Sequence, residues 1–221
     1  MGQRSQIYVR FTFPETNGKY LVARYFQWNY GERMVSRVRH TIEWIACQLD
    51  STAYKKELIK TAEFERKLVH IMETNFDYED VVLSSDILSE YEEYREDEPF
   101  ADCVFYGQDN NNGQAFIDVI LKDNGKETER FGRTMKDYDV IIKYGFAKNT
   151  DGEEPLSPYG YLTTDMGEHW KERLDSEEEA LTEKNVKALN KYPLLTKDEL
   201  EEFREYDYLQ YMVFGKAVKN A

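Results

Sequence analysis

Gln6-Ile7-Tyr8-Val9-Arg10-Phe11-Thr12-Phe13, then Pro14-Glu15-Thr16-Asn17-Gly18-Lys19, then Tyr20–Trp28: this opening decides the fold class of the chain. In the first segment Ile7, Val9, Phe11 and Phe13 alternate with Tyr8, Arg10 and Thr12, the period of two that sends side chains to opposite faces of a strand. The middle segment is a turn in which Asn-Gly tolerates positive φ. Tyr20–Trp28 is again apolar and aromatic, so the start of the chain is a β-hairpin.

Asn29-Tyr30-Gly31 breaks the second strand. From about Glu32 to Leu49, Met34, Val38, Ile42, Ile45 and Leu49 recur at spacings of four and three, which places them on one face of a helix. A second helix is predicted from about Ala53 to Glu73, buried through Leu58, Ala62, Leu68 and Met72. The opening is therefore ββαα. Ser85–Glu98 reads as a shorter acidic helix stopped by Pro99. Strands are predicted at Asp102–Gln108, Gln114–Leu121 and Tyr138–Ala147, with turns at Asp109-Asn110-Asn111-Asn112-Gly113 and Asp123-Asn124-Gly125. Thr150–Thr164 reads as irregular. Capping boxes at Ser176-Glu177-Glu178-Glu179 and Thr196-Lys197-Asp198-Glu199 announce two closing helices. The expectation is one α+β domain over residues 1–221, with sub-units at 1–75 (ββαα) and 76–221 (acidic sheet plus helices): an N-terminal ββαα unit, a central antiparallel sheet and C-terminal helices.

Charge is distributed unevenly along the 221 residues. The net charge is −14, yet Met1–His70 hold 12 Lys/Arg against 7 Asp/Glu, a net of +5, and the remainder holds 17 against 36, a net of −19. Such asymmetry points to an electrostatic partner. Aromatics at 14% argue for a folded chain. Cys47 and Cys103 form neither a disulfide framework nor a zinc pattern, and Cys47, inside an amphipathic helix, reads as a small core residue. No apolar run reaches the roughly 18 residues of a membrane span, and Met1–Gln6 has no apolar signal region. A cytoplasmic setting, in a host bacterium, follows as the expectation.

Motifs that carry chemistry are weak. The Asp109–Gly113 cluster departs from a calcium loop because Gly113 and Gln114 fall on the fifth and sixth positions. His40, His70 and His169 lack the spacing that puts two imidazoles on one helical face. No metal, cofactor or catalytic residue is predicted. Two charged sets remain. Arg4, Arg10, Arg24, Arg33 and Arg37, with Arg39 nearby, form either a basic face for nucleic acid or partners in internal ion pairs, and the acid elsewhere in the chain favours the second. Asp86, Glu90, Glu93 and Asp97 repeat at helical spacing as one acidic stripe. The segment Asp86–Glu98 holds 7 acids in 13 residues, about one charge per 2.8 Å of helix. One DNA strand carries about one per 3.4 Å.

Met1–Arg10 (MGQRSQIYVR) and Phe26–Met34 (FQWNYGERM) resemble a family of uncharacterised proteins of Gram-positive bacteria, their phages and other mobile elements. Asp109–Gly113 followed by Phe116-Ile117-Asp118-Val119 is similar to a segment of the same family. The resemblance is strongest over about the first 45 residues and carries no catalytic residues. It implies a mobile-element setting, in which small acidic proteins often inhibit host defence. The expected function is an acidic binding protein that engages a basic surface on a host nucleic-acid-handling enzyme as a nucleic-acid mimic, of the anti-CRISPR or anti-restriction kind, using Asp86, Glu90, Glu93 and Asp97. The alternatives are an enzyme whose site assembles from distant residues and a nucleic-acid binder acting through the N-terminal arginines. A host protein is the expected partner; nucleic acid is the less favoured one, and a membrane is not expected.

Overall fold

The structure, a computed structural model, describes residues 3–27, 29–74, 85–86, 111–148, 153–204 and 211–213. The fold is α+β. Strands β1 (Arg4–Phe13) and β2 (Gly18–Gln27) form the predicted hairpin, in register from Arg4↔Gln27 to Phe13↔Gly18, and Asn17 takes the positive φ of 50° that the Asn-Gly turn needs. Helix α1 (Gly31–Asp50) follows, with Met34, Val38, Ile42, Ile45 and Leu49 fully buried as their spacing predicts. Cys47 is exposed instead of buried, since it falls outside that stripe.

The second helix is broken in two. Helix α2 spans Lys55–Leu58 and α3 spans Ala62–Thr74. Thr61 causes the break. Its backbone N–H and hydroxyl both donate to the Leu58 carbonyl, and its oxygen accepts from the Phe64 N–H at 3.2 Å, opening α3. Phe64, Leu68 and Met72 therefore carry the buried side of α3, and Ala62 is exposed.

Strands β4 (Gln114–Arg130) and β5 (Arg133–Ala147) form a second hairpin, each longer than its predicted segment. Asp123-Asn124-Gly125 is not its turn. The pairing shifts there, between Asp123↔Tyr138 and Glu127↔Lys136, so the cluster is a bulge inside the ladder. Gly125 has φ 73°, and the Asp123 and Asn124 side chains accept from the N–H groups of Gly125 and Lys126. Local turn chemistry is present, but the ladder closes over it and continues to Phe131-Gly132.

The two hairpins join as one mixed sheet, into which the strands of the N-terminal ββαα unit are built. β1 pairs with β4 in parallel, from Gln6↔Gln114 to Thr12↔Ile120. On the far edge, β3 (Ser85–Asp86) pairs antiparallel with β2, and β6 (Tyr211–Val213) pairs parallel with it, giving the order β3-β2-β1-β4-β5 with β6 beside β2. Ser85 and Asp86 are thus strand where a helix was expected, because the open edge of β2 offers backbone partners that override local helical pattern. The rest of the Ser85–Glu98 segment and the strand expected at Asp102–Gln108 lie outside the described residues.

Five further helical segments follow among the described residues. Helix α4 (Pro158–Leu162) lies in the stretch expected to be irregular; the Ser157 hydroxyl caps it through the Gly160 N–H, and Pro158 suits its first position. A 3-10 turn, Asp165–Gly167, and α5 (Trp170–Arg173) lead to α6 (Ser176–Leu189). The capping box of α6 is set one residue earlier than predicted. Asp175 accepts from Glu177 and Glu178, and Glu178 returns the bond to the Asp175 N–H at 3.0 Å. A carboxylate at that end is favoured by the helix dipole. Helix α7 (Lys197–Arg204) begins with the predicted Thr196/Glu199 box. Among the described residues no helix is long and apolar enough to cross a membrane.

The central strands are covered on both faces. Ile7, Val9, Phe11, Ala115, Ile117 and Val119 point to one side, where α1, α3 and α6 supply the apolar core. The residues between them, Gln6, Tyr8, Arg10, Gln114, Phe116 and Asp118, point to the other side and are also buried.

Candidate functional site

That second face carries a row of polar groups laid across the sheet by its register. Tyr8 stacks on Phe116 with ring centroids 5.0 Å apart; its hydroxyl donates to Gln6 Oε1 at 2.5 Å and accepts from Gln114 Nε2 at 3.3 Å. One step along, Arg10 on β1 faces Asp118 on β4 through two parallel bonds, Nη2–Oδ2 at 2.7 Å and Nε–Oδ1 at 3.1 Å, and Thr12 donates a third at 2.9 Å. Lys143 stands opposite Asp118 on β5 and bonds Glu199 of α7. Burial opposes the ionised carboxylate of Glu199, but the Lys143 hydrogen bond and the Thr196 backbone bond outweigh it and hold the group below the usual carboxylate value. Arg10 Nη1 also reaches the Glu202 carbonyl at 3.4 Å. Arg10, Asp118, Lys143 and Glu199 therefore form an alternating ladder across three strands and a helix. It fixes register and seats α7.

Two of the other N-terminal arginines, Arg24 and Arg37, are also turned inward. Arg37 is fully buried on α1, where its guanidinium lies 4.2 Å from the Phe26 ring centroid, donates from Nε to Asn29 Oδ1 at 3.1 Å, and donates to the Met72 carbonyl. Arg24 is buried and donates to the Ala23 carbonyl at 2.9 Å. Arg33 lies over the Tyr30 ring and beside Glu32, and Arg39 pairs with Glu43 at 2.9 Å and with Asn185. Arg4 is partly buried. The five arginines are not one face: Arg10 belongs to the sheet ladder and Arg37 to the helical side.

Of the acidic stripe, Asp86 lies in β3, opposite Tyr25, and is not on a helix. Glu90, Glu93 and Asp97 lie outside the described residues. Described acids do crowd one corner: Glu172, Asp175, Glu177 and Glu183 are exposed around the start of α6, with Glu179 paired to Lys171 at 3.3 Å. Among the described residues no three His, Cys, Asp or Glu side chains are grouped as metal ligands. His40, His70 and His169 stand on three separate parts of the chain.

A feature absent from the sequence reading is the far half of the β4–β5 hairpin. Among the described residues its last fastenings to the body are the Asp123 N–H, which donates to Glu15 Oε1 at 2.6 Å, and Lys55, which donates to Asp137 at 3.3 Å and to the Tyr138 carbonyl at 2.6 Å. Past them residues 124–136 form a two-stranded arm. From Asp137 to Arg133 is four residues of β5, about 13 Å at the usual strand rise. At its tip Phe131 and Gly132 both have positive φ, 54° and 69°, the pattern of a two-residue hairpin turn. Asn or Gly is the ordinary occupant of the first position; a bulky side chain there is strained by about 1–2 kcal/mol. Phe131 is also 92% exposed. Arg130 and Arg133 face one another across the ladder, both exposed, and among the described residues neither makes an ion pair. Like charges directly opposite destabilise a hairpin. At the arm's root Lys136 bonds Asp123 at 2.7 Å, which raises the lysine and lowers the aspartate from their usual values.

Comparison of the chain with protein-family models, curated proteins and solved structures gave no match.

Proposed function

We propose that this chain is a binding protein of phage or mobile-element type, which uses an acidic exterior to compete with nucleic acid for a basic surface on a host nucleic-acid-handling enzyme of the defence kind. The observation that carries this reading is the inward disposal of three N-terminal arginines, Arg10, Arg24 and Arg37. They are 2%, 9% and 0% exposed, so these three cations do not offset the acidic exterior. The same burial argues against the nucleic-acid reading of these arginines, since a guanidinium locked beneath α7 or against Phe26 does not reach a phosphate. The resemblance of Met1–Arg10 to mobile-element proteins supplies the context. The acidic run around Glu90, Glu93 and Asp97, with Asp86 at its start, is proposed as the binding segment through its density of carboxylates, without the helical register expected for Asp86.

The test is capture of host proteins from a Gram-positive lysate on the immobilised protein at low salt, followed by elution with duplex DNA. The expected result is a nucleic-acid-binding enzyme released by DNA and by salt, whose activity the protein inhibits, and whose capture is lost when Glu90, Glu93 and Asp97 are changed to Lys. Retention that neither DNA nor salt disturbs, or inhibition unchanged by those substitutions, overturns the reading.

A further inference from the structure

We infer that the β4–β5 arm, residues 124–136, is a nucleic-acid-binding element that grips the phosphodiester backbone with Arg130 and Arg133 and stacks Phe131 on a base. Three independent features of the tip ask for a partner. A large aromatic occupies a left-handed turn position where Asn or Gly fits with less strain, and it is 92% exposed. Two arginines are set face to face with no described carboxylate between them. Above the bulge the ladder is paired from Glu127↔Lys136 to Arg130↔Arg133, so the tip is held on a ribbon rather than on a loose loop.

Charge decides which partner. Residues 124–136 contain Lys126, Arg130, Arg133 and Lys136 against Glu127 and Glu129, a net of +2, with Lys136 paired to Asp123 at the root, while the rest of the chain carries −16, which together give the −14 of the whole. The tip stands about 13 Å beyond the last fastening of β5. That is roughly one and a half Debye lengths at physiological salt, so the field of the acidic body is weakened there. A polyanion meets a cationic tip before it meets the body. At the root, Lys56 lies 5.0 Å from the Phe13 ring centroid and Lys60 lies 5.3 Å from that of Tyr20, which continues the cationic and aromatic character back towards α2. A two-stranded ribbon is narrow enough for the major groove of a duplex, and an exposed aromatic flanked by arginines also suits an unpaired base. Both share the phosphodiester chemistry, and the two probes below separate them. The inference goes beyond the proposed function and stands without it, because oligonucleotide binding needs no host enzyme.

The experiment is fluorescence anisotropy of a labelled DNA duplex and of its separate single strands with the full chain, at low and at physiological salt. The variants are Arg130→Ala with Arg133→Ala, Phe131→Asn, and Lys184→Ala with Lys187→Ala on α6. The last pair makes the same change of net charge at exposed positions away from the arm. The expected result is binding in the micromolar to sub-millimolar range, weakened at least tenfold by the arginine pair and unchanged by the lysine pair. The arginine pair should also flatten the dependence of log affinity on log salt by roughly 1.8 for a duplex, about 0.9 for each phosphate no longer neutralised. Phe131→Asn suits the turn and should keep the fold while weakening the single-strand complex more than the duplex complex. No binding up to about a millimolar, or equal weakening by the lysine pair, overturns the inference. Polyglutamate bound as tightly as DNA also overturns it, and assigns the arm to an acidic protein.

Discussion

Replacing Asp118 with Leu should be among the most destabilising single changes available in this sheet. The Arg10 and Asp118 side chains are 2% and 5% exposed, and the carboxylate accepts two bonds from the guanidinium and one from Thr12. Asp118→Leu removes the countercharge and leaves Arg10 buried between β1, β4 and α7. Breaking such a pair from one side costs about 3–5 kcal/mol. For a chain of this length each kcal/mol moves the unfolding midpoint by about 2–4 °C, so the drop should be roughly 6–20 °C. The informative partner is the double change Arg10→Met with Asp118→Leu. It removes both charges and should recover most of the stability, since well-packed apolar replacements of buried pairs are often neutral or better. Urea unfolding followed by circular dichroism gives all four corners of the cycle. The reasoning fails if Asp118→Leu lies within about 1 kcal/mol of the parent, below the range for a broken buried pair. It also fails if the double variant is as unstable as the sum of the singles, which would mean that the two residues do not act as a pair.

Two further outcomes are expected. Gly31 has φ 52°, and a Cβ there would sit 2.8 Å from the Gly167 carbonyl oxygen and 2.9 Å from Arg173 Nη2, which bonds Glu32 at 2.7 Å; Gly31→Ala should therefore lower stability by about 1–3 kcal/mol in urea melts, and no change would refute the close approach. Glu199 is held below the ordinary carboxyl value of 4.5, so its contribution is complete above that pH and is lost as pH falls through its lower folded value; Glu199→Gln should lower stability at neutral pH and flatten the acid limb below about pH 4.5, as read from melting temperature against pH.

What could be read from the sequence was what local physics decides. The Asn17-Gly18 turn, the stripe from Met34 to Leu49 and the Thr196/Glu199 box each depend on residues within a few positions of one another, and the structure keeps them. The parallel seam is different. Gln6–Thr12 and Gln114–Ile120 meet across about a hundred residues, and nothing in either segment names its partner. With the seam unseen, an internal ion pair for Arg10 could be expected from the acid elsewhere in the chain, but its partner Asp118 could not be named. The arm escapes a sequence reading for a related reason. Asp123-Asn124-Gly125 has stronger turn chemistry than Phe131-Gly132, which closes the expected hairpin too early. The usable signal is the alternation continuing through Glu127–Arg130 and Arg133–Lys136 on either side of a Phe-Gly pair. Asp86 shows the opposite error, a local helical pattern overruled by the open edge of β2.

The parallel pairing of β1 with β4 also sets a timetable for synthesis. Phe13 leaves the ribosome about a hundred residues ahead of Ile120, a delay of roughly 5–20 s at usual elongation rates. Through that interval the nascent hairpin has an unpaired border that other chains could join, the hazard typical of pairings distant along the chain. Arg10 stands in the middle of that border with its future countercharge not yet made. An inward-facing cation is one of the features that discourage stray strand addition, so the residue that later fastens the finished sheet is also placed to protect its border while translation proceeds.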